Sequence, residues 1–168
     1  ASLIDPDDLR FMNPADRPEE IRAYCRDTGQ PVPDSPGAFA RCILESLALR
    51  YRQVLEQAEE LTGSRFTGLH MVGGGTQNEL LCRLTAEAIG RPVRPRPVEA
   101  SAIGNLLVQL RTGGWLHVLQ EGLEMVKASF PIQVYEPEQA TRPEHEKRSD
   151  LWAAAYERFE RLGRSIPC

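Results

Sequence analysis

Apolar residues return every three or four positions along most of this chain, a period that predicts a helix-rich protein. The longest run is Phe39, Ile43, Leu47, Tyr51, Val54, Ala58 and Leu61. Ser35 suits the N-cap of that helix, Pro36 its first position, and Gly63 ends it after Thr62. Arg41, Glu45, Arg52, Glu56 and Glu59 fall off the apolar stripe and read as a solvated face. A short helix from Glu19 to about Thr28 precedes it, stopped by Gly29. Further helices are predicted over Gln77–Ile89, with Leu80, Leu81, Leu84 and Ala88 on one stripe, then from Glu99 to Leu110, and from about Leu116 to Ser129. Gly104, inside the second of these, is costly in a helix and suggests close helix packing. Thr141 and Glu144 form a capping box for the last helix, which packs through Leu151, Trp152, Ala155, Phe159 and Leu162 and closes at Gly163.

Short apolar runs of strand type are few. Leu69, Met71 and Val72 read as a brief buried strand, with His70 between them as a hydrogen-bonded structural histidine. Val93 centres a short or edge strand among prolines, and Pro131–Tyr135 is a strand or an extended crossing segment. The stretch up to about Pro18 is expected to be irregular and to hug the surface. Strands alternating with helices argue for α/β layering, but so few strands leave the sheet incomplete.

Composition narrows the function classes. The chain has 168 residues, 41% hydrophobic and 26% charged, with a net charge of −4. That balance offers no electrostatic reason to expect nucleic acid or an anionic membrane as partner. No apolar run approaches the ~20 residues needed to cross a bilayer. The first residues are acidic, unlike a signal peptide, so a cytoplasmic location is the expectation. Cys25, Cys42, Cys82 and Cys168 lack zinc-type spacing and the three histidines are scattered, so no metal site is expected in this chain.

One stretch carries chemistry. Leu69-His70-Met71-Val72 enters Gly73-Gly74-Gly75, and Thr76-Gln77-Asn78 leads into a helix. Strand, glycine turn and helix N-terminus together can bind a phosphate through backbone N–H groups, although a tight turn without a ligand has the same spacing. No Lys-Ser or Lys-Thr follows the glycines, which excludes a P-loop. Asn78 stands where a dinucleotide fingerprint needs its third glycine, which leaves a self-standing nicotinamide enzyme the weakest reading. Arg91, Arg94 and Arg96 could face an anion, or simply blunt a sheet edge.

Three ordered segments, Leu69–Asn78, Leu84–Val93 and Pro97–Asn105, resemble the carboxy-terminal domain of the FGGY carbohydrate kinases, and most of all its rhamnulokinase branch. Gly104-Asn105-Leu106 departs from the Gly-Ala-Ala common elsewhere in the family. The resemblance implies an actin-like (ribonuclease-H-like) α/β fold, here helix-rich, truncated and short of strands. It implies that residues 1–168 are the carboxy-terminal part of a nucleotide-binding domain, a piece of a longer kinase. The γ-phosphoryl of ATP, with Mg²⁺, would pass to the 1-hydroxyl of L-rhamnulose, an aspartate accepting the hydroxyl proton. Gly74 is carried over as the main nucleotide contact, with Gly73 and Gly75 shaping the turn and Gln77 and Asn78 as hydrogen-bonding neighbours. No catalytic residue is carried over, because the sugar-binding domain and the aspartate lie elsewhere in such kinases. The isolated chain is therefore expected to be inactive and, with an open sheet edge and bare helix faces, to self-associate. The resemblance also implies a pair, Cys25 and Cys42, able to form a disulfide; two buried free thiols are the alternative that a reducing cytosol favours. An FGGY kinase for xylulose, fuculose or glycerol, and a non-catalytic module of the same fold, stand as alternatives.

Overall fold

The computed structural model describes residues 2–97, 99–130, 133–138 and 143–164, with the side chains of 143–148 and 164 outside that description. The elements run α1 (Arg17–Asp27), α2 (Pro36–Thr62), β1 (Leu69–Met71), α3 (Glu79–Ile89), β2 (Val93–Pro95), α4 (Ala100–Thr112), α5 (Leu119–Ser129) and α6 (Pro143–Arg164). Single 3₁₀ turns stand at Leu9–Phe11 and Gly74–Gln77. The fold is thus a helix-rich α/β arrangement with a two-stranded sheet among the described residues.

Local chemistry accounts for most element ends. The Asp16 carboxylate accepts from the Glu19 amide to start α1, and the Ser35 hydroxyl accepts from Ala38 to start α2. Gly63 and Gly90 adopt φ of +62° and +64° and end α2 and α3, a conformation in which a side chain would be strained. The Glu121 carboxylate reaches back to the His117 amide at 2.9 Å before α5.

β1 and β2 lie parallel, pairing Leu69 with Val93, His70 with Arg94 and Met71 with Pro95, and α3 makes the crossover between them. On its other side Val93 exchanges two 2.9 Å hydrogen bonds with Tyr135, an isolated antiparallel bridge. Of the expected 131–135 segment, residues 133–135 are described and form this single bridge rather than a strand, residues 131 and 132 lying outside the described set.

Three apolar clusters hold the helices. One, against the sheet, gathers Leu55, Met71, Leu81, Cys82, Ala86, Ile89, Val93 and Tyr135. A second joins Leu3, Ala48, Leu49, Ala88, Tyr156 and Phe159, tying α2, α3 and α6 together. The third packs Ile4, Ile21 and Tyr24 with Cys25 and Cys42 between α1 and α2.

Several sequence expectations are corrected here. Leu3 and Ile4 do not hug the surface; they are core residues, because the Ser46 hydroxyl accepts from the Ile4 amide and Gln30 bonds both the amide and the carbonyl of Leu3. The buried side of α2 runs through Cys42, Ser46, Ala48, Leu49 and Leu55, while Val54 and Leu61 face solvent. The face expected to be merely solvated is partly used: Glu56 accepts from the Tyr156 hydroxyl, and Glu59 takes two hydrogen bonds from Arg91. In α6, Trp152, Ala155, Phe159 and Leu162 pack as expected but Leu151 is exposed, and the helix runs through Gly163 to Arg164. The Thr141–Glu144 capping box lies outside the described residues. Gly104 meets nothing within 4 Å of an added Cβ; the glycine demanded by close packing is Gly122, where a Cβ would stand 2.7 Å from Leu107 Cδ2.

Candidate functional site

The glycine corner is built from β1 outward. Arg96, just past β2, donates its amide to the Met71 carbonyl at 2.8 Å and so fastens the ends of the two strands together. Val72 follows, and at Gly73 the backbone turns with φ +86° and ψ −174°, a combination only glycine takes without strain. The Gly73 carbonyl then accepts from the Thr76 amide at 3.1 Å and the Thr76 hydroxyl at 2.7 Å, and the Gly75 carbonyl accepts from Asn78 at 3.1 Å. Asn78 is the N-cap of α3: its Oδ1 accepts from Leu81 at 3.0 Å and its carbonyl from Cys82 at 3.1 Å.

These bonds occupy the Gly73, Gly75 and Asn78 carbonyls and leave amides open. The N–H groups of Gly73, Gly74 and Gly75, and those of Glu79 and Leu80 in the first turn of α3, have no acceptor among the described residues. Gly74 and Gly75 are exposed. A Cβ on Gly73 or Gly74 would meet nothing within 4 Å, and one on Gly75 only Leu81 Cδ2 at 3.7 Å. Open amides at the C-terminal end of a parallel strand and the N-terminal end of a helix suit an anionic or hydrogen-bond-accepting ligand.

The sequence-predicted residues Gly73, Gly74, Gly75, Gln77 and Asn78 thus share one corner, with Gln77 exposed on it. The role of Asn78 narrows, since its Oδ1 is committed to the cap and its amide nitrogen is the part left for a ligand. Cys25 and Cys42 come together elsewhere, fully buried between α1 and α2 as free thiols in mutual hydrogen-bond contact. Burial raises both thiols, Cys42 to about 12, so neither is a nucleophile at neutral pH.

Charge near the corner was only partly legible. Arg91 forms an ion pair with Glu59, at 2.5 and 3.1 Å, away from the glycines. Arg94 lies over Gly68, where an added Cβ would come within 2.5 Å of its Nη1. Arg96 donates Nε–H to His70 Nδ1 at 3.0 Å. Burial, then the neighbouring Arg96 and Arg94 charges, hold the His70 pKa below its ordinary value and keep the imidazole neutral. His70 is hydrogen-bonded as expected, but its partner emerges only from the β1–β2 register.

Arg96 also lines a cavity of about 350 Å³ between α4 and α5, walled by Ile103, Leu107, Leu123 and Val126, with Lys127 at its edge. A larger groove of about 670 Å³ lies between α2, α3 and α6. Among the described residues no group of three or more His, Cys, Asp or Glu could hold a metal ion, and no helix is long and apolar enough to cross a membrane.

Comparison with known proteins meets this geometry. Residues 1–113 match the model of the FGGY family of carbohydrate kinases, C-terminal domain. The chain is 46% identical over 159 residues to a rhamnulokinase of Bacteroides thetaiotaomicron, covering 95% of this chain and 31% of that protein. The crystal structure of xylulose kinase from Rhodospirillum rubrum superimposes with a TM-score of 0.52 and 19% identity, over 80% of this chain and 27% of that one. The first likeness is of sequence across nearly the whole chain; the second is of fold.

Proposed function

The chain belongs to the FGGY family of carbohydrate kinases, and from that premise we propose that it is the nucleotide-binding portion of a kinase acting on L-rhamnulose. It spans under a third of the curated relative it matches, so the reaction is assigned to the full polypeptide carrying these residues. In this reading ATP lies against the glycine corner, with Gly74 as the principal contact, Gly73 and Gly75 giving the turn its shape, and Gln77 and the Asn78 amide donating to ribose or base. The observation that carries it is the row of open amides at Gly73–Gly75, where an added Cβ would meet at most Leu81 Cδ2, at 3.7 Å.

Phosphoryl transfer needs positioning and charge neutralisation more than covalent chemistry from the protein. The chain's part is to hold the nucleotide so that its γ-phosphoryl meets the sugar's 1-hydroxyl in line. Mg²⁺ would travel with the phosphates and neutralise their charge. The reading assigns it no ligand in this chain, where the described residues offer no carboxylate cluster. The aspartate base and the sugar ligands are assigned to the rest of the polypeptide, in the cytoplasm. The choice of L-rhamnulose rests on the 46% identical relative, since the xylulose kinase likeness speaks to fold alone.

Isothermal titration of the full polypeptide with ATP, beside its Gly74→Val variant, tests the site: the wild type binds and the variant loses at least about tenfold in affinity, as expected when a side chain fills a backbone contact. Turnover against a panel of ketoses tests the sugar, and a preference for xylulose or fuculose would replace L-rhamnulose. The 168-residue chain alone is expected to show no sugar phosphorylation. Cys25 and Cys42 are free thiols in the structure, so a bridge between them would have to form on oxidation: unfolded, unreduced protein returning two thiols supports such a bridge, and the full four refute it.

A further inference from the structure

Arg96, just past β2, is tied to the end of β1 by two different bonds. Its amide is fixed to the Met71 carbonyl at 2.8 Å, two residues before Gly73, and its Nε–H is fixed to His70 Nδ1 at 3.0 Å. No carboxylate pairs with it among the described residues, unlike Arg91 with Glu59 or Lys127 with Glu124. Among the described residues its terminal guanidinium nitrogens have no hydrogen-bond acceptor, and Arg96 lines the cavity walled by Ile103, Leu107, Leu123 and Val126. A guanidinium without a carboxylate partner, on a backbone pinned two residues before Gly73, is suited to bidentate recognition of a phosphate.

We propose that Arg96 binds the phosphate chain of the nucleotide and that His70 is its positioning residue, the imidazole anchoring Nε while the terminal donors meet the ligand. This rests on the reading of the corner as a nucleotide site. His70 can do this only when neutral, because an imidazolium has no lone pair for Nε–H to reach. The charged groups recorded around it are Arg94 and Arg96, both cations on the β2 side, and both favour that neutral form.

The test uses the full polypeptide and three probes, ATP, ADP and adenosine, in calorimetric titrations with thermal melts as a check on folding. Arg96→Gln is expected to weaken ATP and ADP about tenfold or more, the usual effect of losing a hydrogen bond to a charged group, while adenosine is unchanged. Arg96→Lys should restore part of the loss. In turnover, Arg96→Gln should raise KM for ATP with kcat little altered. His70→Ala should weaken ATP in the same direction. His70→Gln, whose carbonyl accepts from Nε without titrating, should retain ATP affinity and abolish the decline that the wild type shows as the solution is acidified through the imidazole range. Equal ATP affinity in wild type and Arg96→Gln overturns the proposal and leaves the nucleotide site standing. Equal weakening of ATP and adenosine also overturns it, because Arg96 would then only be shaping the wall. A wild type that binds none of the three probes overturns both readings together.

Discussion

The α2–α3–α6 side of the molecule and the α4–α5 pair are put together differently. The first owns three apolar clusters, reaches fully buried residues such as Leu49 and Val93, and is cross-tied by Arg91–Glu59 and Tyr156–Glu56. The second contributes no residue to those clusters; α4 and α5 meet through Leu107, Leu116 and Gly122, and leave Leu106, Val108, Trp115, Val118, Leu119, Leu123 and Met125 exposed. One side supplies most of the buried core, and the other leaves many of its large apolar side chains exposed. Arg96, just past β2, lines the cavity between α4 and α5 and so stands where the two sides meet.

That contrast can be broken by mutation. Leu49→Ala should cost about 3 kcal/mol through the cavity it leaves, whereas Leu119→Ala should stay within about 0.5 kcal/mol, both read from denaturant unfolding. Similar losses would show that the two sides are packed alike. Gly122→Val should cost about 1–2 kcal/mol, because its branches press on Leu107 and Leu116, whose tips can partly yield. Hydrogen exchange should place that loss in α4 and α5 and leave α2 protected. The exposed face, together with the free edge of β1, should drive self-association of the 168-residue chain in light scattering, and Trp115→Glu should reduce it. A strictly monomeric chain at high concentration would remove the interface from the comparison. The smallest effect is that of pH. His70 has a folded pKa below its ordinary 6.5, so the unfolded chain takes up a proton first as pH falls. Its contribution is complete above that value and is lost on acidification towards the folded pKa. Melting temperatures of wild type and His70→Gln should diverge in that range alone.

The same two sides differ in how far they could be read in advance. Ser35, Gly63 and Gly90 punctuate α2 and α3 where expected, because capping is decided by a few neighbouring residues. The glycine corner was legible for the same reason, since Gly73–Asn78 is contiguous. Which side of α2 is buried was half missed: Val54 and Leu61 keep the apolar spacing, but the elements packed on that helix reach Leu49 and Leu55 instead. Gly104 was read as a packing glycine from its cost to a helix, yet only the placement of α5 shows that Gly122 fills that role. The Arg96–His70 contact joins residues 26 apart and follows from a parallel register that no local pattern encodes. Leu3 and Ile4 were hidden by their proline- and acid-rich setting, their burial being decided by Gln30 and Ser46 far along the chain.

That last tether has a mechanical meaning. Leu3 is held by both ends of one carboxamide, Ile4 by a hydroxyl on α2, and Asp5 by the Tyr24 phenol on α1. The segment behaves as a strand whose neighbour has been replaced by three side chains. Tension arriving through residue 2 would be spread over these anchors before it reached the helices. A pull there has to break several separate bonds together rather than peel away one residue at a time.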